Sequence, residues 1–464
     1  MPTKTALAPI AALLLITAAA ARDTDHPRPI SLPETEQRSG AVNPGRDYLL
    51  TGDANGSGMP RLLFDALGLA RNATPRLERD GDNANLPHTM TAFTDAHGVD
   101  VVAMVNCLAC HAQELNGELV IGLGNSLADW TAGVAIDTAA LRAVGAFMTS
   151  PDTPERASYL DFIRGAEALA GRMHTPFRGV TPAFRIEELA ASQRDPRTLA
   201  WTEEPVFEPL PRPLGSDVPP WWHVRKKNAL YSTAIGRGDF ATLLQQIGVV
   251  GLKDADQARR INERMPDLVA YLGSIEPPAY PHEIDLELAR RGEAVFTDHC
   301  AKCHGTYDTF GAEETYPNKL VHVETVGTDS EYARSLVESP FAAWYNASVF
   351  AELGNGSSAE PTMAYVAPPL DGIWATAPYF HNGSVPKLEQ VIDSTTRPTL
   401  WRRTFDASDY DTINPGWNYT EPDKAIDTNT YNTTIPGYGN EGHTFGDELS
   451  DDERRALIEY LKTL

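Results

Sequence analysis

Two short segments of the chain share the pattern C-x-x-C-H, and they cover residues 107–111 and 300–304. Two thiols three positions apart can form thioether bonds to both vinyl groups of one porphyrin, and the histidine after the second cysteine can then bind the iron. The alternative chemistry of a C-x-x-C pair is a redox dithiol or half of a zinc site. Two copies of the pattern, with no cysteine outside them, favour haem. We therefore predict two covalently bound haems c, haem 1 at Cys107, Cys110 and His111 and haem 2 at Cys300, Cys303 and His304.

Residues 1–21 are predicted to be a secretory signal peptide. Lys4 supplies a positive charge, residues 6–20 are mostly apolar, and Ala19–Ala21 has the small side chains of a cleavage site. The apolar run is short for a membrane span and contains Pro9; an uncleaved N-terminal anchor is the alternative. We expect a periplasmic or secreted protein with no membrane span after cleavage.

The chain of 464 residues carries a formal net charge of −24. Such an acidic protein is not expected to bind nucleic acid or anionic lipid. The charge can steer a basic redox partner, or it can simply keep an exported protein soluble. Together with the haem motifs, it predicts a small redox protein or a small molecule as the electron partner. The length predicts two domains.

The second haem motif lies between two predicted helices. Residues 286–296 have apolar side chains at helical spacing behind a potential N-cap residue, Asp285. Ser450 and Glu453 form a potential capping box at the start of a final helix over residues 450–462. A helix directly before the haem motif that crosses a helix at the C-terminus is the arrangement of c-type cytochromes.

The first motif is followed by a much longer segment. Residues 256–272 have helical periodicity and a Pro-Pro pair ends the pattern, so residues 279–284 are predicted to be a linker. The sequence between His111 and this helix exceeds the needs of a small cytochrome and is predicted to build structure near haem 1. The predicted fold is mainly α, with two c-type cytochrome domains packed face to face, residues 40–278 for haem 1 and residues 285–464 for haem 2. The insertions are predicted to contain long loops and short strand pairs.

The segment 367–385, which contains the sequence TAPYFHNGS, resembles a segment of the bacterial dihaem cytochrome c peroxidases. A narrower branch of that superfamily is similar to four other segments, residues 219–227, 303–307, 316–318 and 327–329. This branch includes the rubber oxygenases, extracellular dihaem cytochromes that cleave polyisoprene with O2. The resemblance covers most of the chain, but its motifs are not specific for a substrate.

The resemblance implies that haem 2 takes its sixth ligand from the loop before the final helix. That loop, residues 437–446, contains His443, and no methionine follows Met363 in the sequence. His443 is therefore the implied ligand, Met363 is the second candidate, and a surface position is the alternative for His443. Two histidine ligands give a lower reduction potential than histidine with methionine.

For haem 1 the resemblance supplies no corresponding ligand. Many of the peroxidases have a capping histidine shortly after the first motif, whereas here no histidine lies between His111 and His174. Haem 1 is therefore expected to be open to a small ligand. Other residues that could cap its iron, with packing or a surface position as the alternative, are His88, Met90, Met173, His174 and His223.

Three further features are interpreted through the resemblance. Family members have a tryptophan between the haems, and either Trp221 or Trp222 could be this electron relay or, instead, a core residue. His381 matches a histidine that lies near the haems without binding iron. The family also carries a structural calcium, whose ligands the sequence does not identify.

A basic cluster is either paired with haem propionates or solvated, and its members are Arg225, Lys226, Lys227 and Arg237.

These features predict a dihaem oxidoreductase that activates peroxide or O2 at haem 1 and uses haem 2 as an electron relay. The open face of haem 1 is the expected catalytic site, with no catalytic side chain assigned. A peroxidase would consume reducing equivalents in each turnover, whereas a dioxygenase would not. The alternative function is a non-enzymatic electron carrier in which both irons are six-coordinate.

Overall fold

The structure, a computed structural model, describes residues 27–69, 77–133, 137–211 and 214–464. The predicted signal peptide lies outside these ranges. The fold is mixed α/β, with 38% of residues in helices and 13% in strands that form several small sheets. The prediction of a mainly α fold is therefore wrong, because strands form six small sheets across the described ranges and not only the short pairs expected in the insertions.

The helices of the described ranges have between four and 16 residues. They are α1 (Val42–Thr51), α2 (Arg61–Leu67), α3 (Leu108–His111), α4 (Thr138–Met148), α5 (Pro154–Leu169), α6 (Ala183–Ser192), α7 (Phe240–Gln245), α8 (Ala255–Asn262), α9 (Met265–Ser274), α10 (Leu286–His299), α11 (Ala301–His304), α12 (Val323–Val326), α13 (Glu331–Glu338), α14 (Phe341–Asn346), α15 (Val349–Glu352), α16 (Leu388–Ile392) and α17 (Asp451–Leu461).

The strands of the described ranges have two to four residues each. They are β1 (Ile30–Ser31), β2 (Met59–Pro60), β3 (Thr91–Thr94), β4 (Asp100–Ala103), β5 (Ala112–Leu115), β6 (Glu118–Ile121), β7 (Gly236–Gly238), β8 (Lys319–His322), β9 (Ser357–Ala359), β10 (Ala364–Val366), β11 (Leu400–Arg402), β12 (Tyr410–Asp411), β13 (Gly416–Trp417) and β14 (Thr430–Asn432). The sheets have the strand orders β1-β8-β10, β2-β4-β3, β5-β6, β7-β9, β11-β14 and β12-β13.

A tight hairpin follows the first haem motif directly. Strands β5 and β6 are joined by Asn116 and Gly117, which both have positive φ, at 51° and 83°. Asn-Gly is the dipeptide that favours a two-residue hairpin turn of this kind. The chain therefore turns back beside the motif instead of continuing as a helix.

Two of the sheets connect the N-terminal and C-terminal parts of the chain. Strand β1 pairs with β8, and strand β7 pairs with β9, both in antiparallel orientation. Each pair joins a strand from before residue 279 to a strand from after residue 284. The two predicted units therefore share main-chain hydrogen bonds.

Helices α10 and α17 cross closely beside the second motif, as predicted. The side chain of Asp285 accepts hydrogen bonds from the N–H groups of Glu287 and Leu288, and the capping box of Ser450 and Glu453 is formed. A Cβ atom on Gly292 would lie 1.9 Å from the carbonyl oxygen of Ala456. The absence of a side chain at Gly292 is what lets the two backbones touch.

The corresponding pair in the first unit is α1 and α9. A Cβ atom on Gly45 of α1 would lie 1.8 Å from the carbonyl oxygen of Asp267 in α9. The predicted single helix over 256–272 is wrong, because α8 ends at Asn262 and α9 begins at Met265. Pro266 lies in the first turn of α9, where it has no N–H to donate to a preceding helix and restricts the residue before it.

Two large groups of buried side chains form most of the core. One surrounds the first haem motif and includes Leu108, Trp221, Leu272 and Tyr332. The other surrounds the second motif and includes Trp222, Phe296, Trp374 and Tyr460. Among the helices of the described ranges, none has both the length and the apolar character that crossing a bilayer requires.

Candidate haem sites

Both C-x-x-C-H segments form one turn of helix. α3 begins directly after Cys107, and the N–H of His111 donates to the carbonyl oxygen of Cys107 at 3.0 Å. α10 ends directly before Cys300, and the N–H of His304 donates to the carbonyl oxygen of Cys300 at 3.1 Å. Residues three and four apart in a helix share a face. The turn therefore presents the two thiols and the imidazole of each motif on one side.

The cysteine side chains are withdrawn from bulk water without being fully covered by neighbouring side chains. Each of the four is partly accessible, while burial raises the pKa of Cys107 and of Cys300 to about 11. Burial lowers the pKa of His111 to about 3, so its imidazole is neutral, as a metal ligand must be. Paired thiols and a neutral imidazole are the donor set of haem c, so these residues fit the cofactor.

In the second motif, the backbone orients the His304 ring. Its Nδ1 lies 2.9 Å from the carbonyl oxygen of Pro368. When Nδ1 carries the proton and donates it to this carbonyl, Nε2 keeps its electron pair for a metal, and the hydrogen bond makes the ring a more basic ligand.

A second imidazole, that of His443, faces His304 with a distance of 6.3 Å between the ring centroids. A bond from a metal to an imidazole nitrogen is about 2 Å long, and that nitrogen lies about 1 Å from the ring centroid, so two imidazoles on opposite sides of one metal have centroids about 6 Å apart. The structure thus brings His304 and His443 to the separation of two axial ligands. Burial, followed by the neighbouring His304 and Arg397, lowers the pKa of His443 to about 4, which keeps its ring neutral.

Arg397, a residue that the sequence did not single out, holds the loop that carries His443. Its guanidinium donates to the carbonyl oxygens of Gly442 at 2.6 Å and Asn440 at 2.8 Å and lies over the ring of Phe380. His443 itself has a φ of +47° and donates its N–H to Val326 at 2.7 Å. A left-handed conformation at a histidine needs such support from its surroundings.

Met363, the second candidate ligand of haem 2, packs elsewhere. It contacts the core group of the first motif, whereas Cys300 contacts the core group of the second. The carbonyl oxygen of Met363 accepts a hydrogen bond from the N–H of Val323 at 3.0 Å. The structure therefore separates Met363 from the packing environment of the second motif.

In the first motif, the ring of His111 stacks on the ring of Trp221, with centroids 4.5 Å apart and planes at 18°. The neighbouring Trp222 donates its Nε1–H to the carbonyl oxygen of Asp371 at 2.8 Å, and Nε2 of His223 lies 3.0 Å from the same oxygen. Asp371 follows closely after Pro368, the hydrogen-bond partner of His304. The two tryptophans therefore connect the surroundings of one motif with those of the other.

Four of the candidate caps for haem 1 have other environments. Met173 is buried in a small apolar cluster, Met90 packs against another, and His174 is exposed. His223 is buried and uses Nε2 at the carbonyl oxygen of Asp371. These four residues therefore have the packing or surface positions that were the alternatives to capping the iron of haem 1.

The remaining candidate cap, His88, lies beside the first motif. Its carbonyl oxygen accepts a hydrogen bond from Nδ2 of Asn106 at 2.8 Å, and Oδ1 of Asn106 accepts the N–H of Leu108 at 2.9 Å. Asn106 thus ties the backbone of His88 to the start of α3.

The basic cluster is mostly paired with carboxylates of the chain itself. Arg225 pairs with Glu276, Lys226 pairs with Glu314 and with Asp371, and Arg237 pairs with Glu360. Lys227 differs, because within the described ranges its ammonium group has no hydrogen-bond or ion-pair partner, and burial lowers its pKa to about 8. Lys227 is therefore a partly buried cation that lacks a counter-charge from the described part of the chain.

The described ranges bring no three His, Cys, Asp or Glu side chains together as a metal site, so the structure identifies no calcium ligands there. His381 stacks on Tyr365 with centroids 4.0 Å apart, and its Nε2 is buried without a hydrogen-bond partner in the described part of the chain.

Comparison with known protein families gives one match, to a family described as RoxA-like, cytochrome c-like, over residues 364–402. This segment contains Pro368 and Arg397, which orient the two imidazoles of the second site, and also Asp371 and His381. The match supports the resemblance to the rubber-oxygenase-like cytochromes, and a cytochrome c-like domain implies covalently bound haem c.

Two uncharacterized proteins of Sinorhizobium fredii are similar to parts of the chain. The protein y4iJ is 30% identical over 253 residues, which are 41% of this chain and 41% of the relative. The protein y4iM is 26% identical over 297 residues, which are 53% of this chain and 64% of the relative. The matched part is thus less than two thirds of the length of either relative. The match to the RoxA-like cytochrome c family indicates a haem-containing, oxidoreductase-like protein.

Proposed function

We propose that the protein is a dihaem c-type cytochrome oxidoreductase that activates peroxide or O2 at haem 1 and uses haem 2 as an electron relay. The observation that carries the proposal is the unequal supply of ligands. Within the described ranges, His304 faces a second imidazole at 6.3 Å, whereas the ring stacked on His111 is an indole. His304 and His443 together would supply both histidine ligands of one haem iron, whereas His111 alone would leave a coordination position of the other iron for a small ligand.

A haem at each motif supplies an iron that changes its oxidation state and, where a position is open, binds a small oxygen ligand. The chain supplies everything else at the two sites. Cys107 and Cys110 would hold a first haem covalently, and His111 would supply a nitrogen ligand to it. Pro368 orients the ring of His304, and Arg397 keeps the His443 loop in place, so the residues that would hold a second haem need little rearrangement when its charge changes.

Of the two tryptophans predicted as possible electron relays, we choose Trp221. Its ring is in contact with His111, and it packs in the core group of the first motif. Trp222 packs in the core group of the second motif and is tied to Asp371. The adjacent pair therefore offers a covalent step from one haem environment to the other.

Lys227 is our proposed partner for a haem propionate. A buried ammonium group is unfavourable unless an anion lies next to it, and the other cations of the cluster have carboxylate partners already. The carboxylates of a haem are anions of the right kind, and the neighbouring motifs bring haem to this part of the fold.

We also propose that the protein is exported to the periplasm or secreted, and that its electrons are exchanged with a small redox protein or a small molecule. The support is the pattern of residues 1–21 and the net charge of −24. An acidic surface favours a basic partner.

The rival function is electron transfer without catalysis, and the position of His88 beside the first motif is the observation that favours it. Low-temperature EPR of the purified oxidised protein distinguishes the two functions. We expect one high-spin and one low-spin ferric signal of equal intensity, from haem 1 and haem 2. Two low-spin signals would show that both irons are capped and would contradict an open site in the resting protein.

A further inference from the structure

A series of four aromatic rings leads from the interior of the protein to its surface. Tyr431 of β14 lies opposite Trp401 of β11, and their rings stack with centroids 5.0 Å apart and planes at 8°. Further in, the ring of Tyr438 lies 6.2 Å from that of Tyr431, and further out the ring of Tyr419 lies 6.4 Å from that of Trp401. The first three side chains are buried, whereas Tyr419 is half-buried. Tyrosine and tryptophan are among the side chains that lose an electron most readily, so rings at these separations can pass single electrons.

The inner end of this aromatic series is connected to the first haem motif by a continuous path of bonds. The N–H of Gly215 donates to the hydroxyl oxygen of Tyr438 at 2.8 Å. The next residue, Ser216, exchanges two main-chain hydrogen bonds of 2.9 Å with Thr181. Oγ1 of Thr181 lies 3.7 Å from Sγ of Cys110, one of the two thioether positions of haem 1. Electrons from Tyr438 therefore have a path of covalent bonds and polar contacts to the position of haem 1.

The outer end of the series forms part of a surface pocket. The pocket has a volume of about 350 Å³, and its lining residues are Lys387, Glu389, Asn418, Tyr419 and Glu421. Nζ of Lys387 is paired with Asp411 at 3.3 Å. Within the described ranges the two glutamates, which are exposed, have no ion-pair partner. Their charges favour a small cation as the occupant of this pocket.

The environment of Tyr419 suits the loss of an electron, because an oxidised tyrosine also loses its hydroxyl proton. The hydroxyl of Tyr431 donates to a backbone carbonyl oxygen in the core at 2.7 Å, which cannot keep a proton. The hydroxyl of Tyr419 accepts a hydrogen bond from Nε2 of Gln390 at 2.8 Å and donates none within the described ranges. Its proton is therefore available to water and to the carboxylates of Glu389 and Glu421 in the pocket. A missing electron is thus more stable at Tyr419 than at the buried rings.

Arg403 influences the direction of electron transfer at Trp401. Its guanidinium lies 4.2 Å from the ring centroid of Trp417 and 5.8 Å from that of Trp401. A positive charge near an aromatic ring makes the loss of an electron from that ring less favourable. Trp417 is therefore the poorer electron donor of the two, and an electron missing from Trp401 is readily replaced by one from Tyr419.

We propose that the pocket at Tyr419 is a one-electron oxidation site for small electron-rich cations, and that the three buried rings of the series connect it to haem 1. The inference rests on the proposed activation of peroxide at haem 1. One hydrogen peroxide takes up two electrons and two protons and becomes two waters, and the electrons arrive singly through the series. For each electron, Tyr419 gives one electron to Trp401 and its hydroxyl proton to the pocket, and then takes back one electron from the donor and one proton from the pocket. Two donor molecules are thus each oxidised by one electron.

Radical trapping tests the inference in the oxidised holoprotein. The protein is treated with hydrogen peroxide and the spin trap tert-nitrosobutane, and mass spectrometry of its peptides locates the adduct. We expect an adduct at Tyr419 in the natural protein and its loss in Trp401→Phe, because phenylalanine is much harder to oxidise than tryptophan. Tyr431→Phe interrupts the series one step further in, keeps the shape of the core, and should also lose the adduct.

The matched control is Tyr271→Phe, a change in another half-buried tyrosine that is not part of the series. It should keep the adduct at Tyr419. The haem absorption spectra of all variants show whether the fold and the haem ligands are intact, and Tyr431→Phe alone decides the question if Trp401→Phe folds poorly.

The charge of the donor is tested in the same reaction. The cation (ferrocenylmethyl)trimethylammonium should reduce Tyr419 before the trap reacts and so protect it, at concentrations at which the anion ferrocenecarboxylate does not. Glu421→Gln should weaken the protection by the cation. Equal protection by the two ferrocenes would overturn the assignment of the pocket to cations.

Two further results would overturn the inference, and they differ in what they imply for the proposed function. If peroxide changes the haem absorption spectrum but Tyr419 carries no adduct, or keeps it in Trp401→Phe and Tyr431→Phe, peroxide is activated but this series does not carry the electrons. If peroxide neither changes the haem spectrum nor produces a radical, the proposed activation of peroxide fails, and the role of Tyr419 fails with it.

Discussion

The imidazole pair of His304 and His443 is the residue-scale feature with the most direct consequence. One ring is fixed by the carbonyl oxygen of Pro368 and the other by a loop that Arg397 holds, so neither needs to move to reach a metal between them. A metal site whose ligands keep the same positions in both oxidation states favours rapid electron transfer over ligand exchange. The same rigidity makes the site sensitive to the loss of either ring.

We expect His443→Ala to convert haem 2 from a low-spin to a high-spin iron, because an alanine leaves the sixth position to water or to nothing. The EPR and absorption spectra of the oxidised protein provide the measurement, and the signal of haem 1 should not change. His174→Ala is the control, since His174 is exposed and should leave both signals intact. An unchanged spectrum in His443→Ala would show that another residue is the ligand.

The charge of Lys227 should matter for the reduction potential of the haem beside it. Lys227→Gln removes a partly buried positive charge that favours the reduced iron, so we expect the midpoint potential of one haem to fall while the other changes less. Spectroelectrochemical titration measures both potentials in one experiment. Lys424→Gln, at an exposed lysine, is the control and should leave both potentials unchanged. A fall of equal size in the two variants would show that Lys227 acts only through the net charge of the protein.

At the scale of elements, the close crossing of α10 and α17 positions the second motif, because α10 runs into Cys300. We expect Gly292→Ala to destabilise the protein by about 1–3 kcal/mol, since the new methyl group would lie 1.9 Å from the carbonyl oxygen of Ala456 and force the helices apart. Thermal unfolding followed by circular dichroism measures the loss. The control is Gly273→Ala in α9, where the nearest atom would be 3.9 Å away and the change should be neutral or slightly stabilising. Equal effects of the two variants would argue against the crossing as the cause.

The helices could be predicted from the sequence where their ends carry side-chain caps. The potential N-cap residue Asp285 predicted the start of α10, and the potential capping box of Ser450 and Glu453 predicted the start of α17. All three side chains make the expected hydrogen bonds. The positions of the short strands could not be predicted, because two to four residues are too few to show an alternating pattern. Their pairing depends on partners far away in the chain, as in β1 with β8.

The site was predictable to the extent that chemistry dictates residue types. Thioether attachment requires the C-x-x-C-H spacing, so Cys107, Cys110 and His111 could be named as haem residues from the sequence. Arg397 could not, because its partners are backbone carbonyl oxygens, which leave no signature in the sequence.

At the scale of the whole molecule, the two proposed haem units are joined by more than a linker. Strand β8 pairs with β1, and strand β9 pairs with β7. Nε1 of Trp344 donates to the carbonyl oxygen of Arg194 at 2.9 Å. The core group of the first motif contains side chains from both halves of the chain, such as Leu272 and Tyr332. Residues 285–464 on their own would therefore expose strand edges and apolar surface that the first half covers.

We therefore expect residues 285–464, exported alone, to fold poorly and to attach little haem, although they carry a complete C-x-x-C-H motif and His443. The full chain should unfold in one cooperative transition, because the shared sheets and core couple the halves. Haem content, circular dichroism and thermal unfolding of the fragment and the full chain test this. As a control, the full chain with Cys107→Ser and Cys110→Ser retains the covering half and should still attach haem 2. A fragment with one covalent haem and the same low-spin spectrum as haem 2 would instead show that the second unit is an independent domain, and the shared strands would then be an interface between two folded bodies.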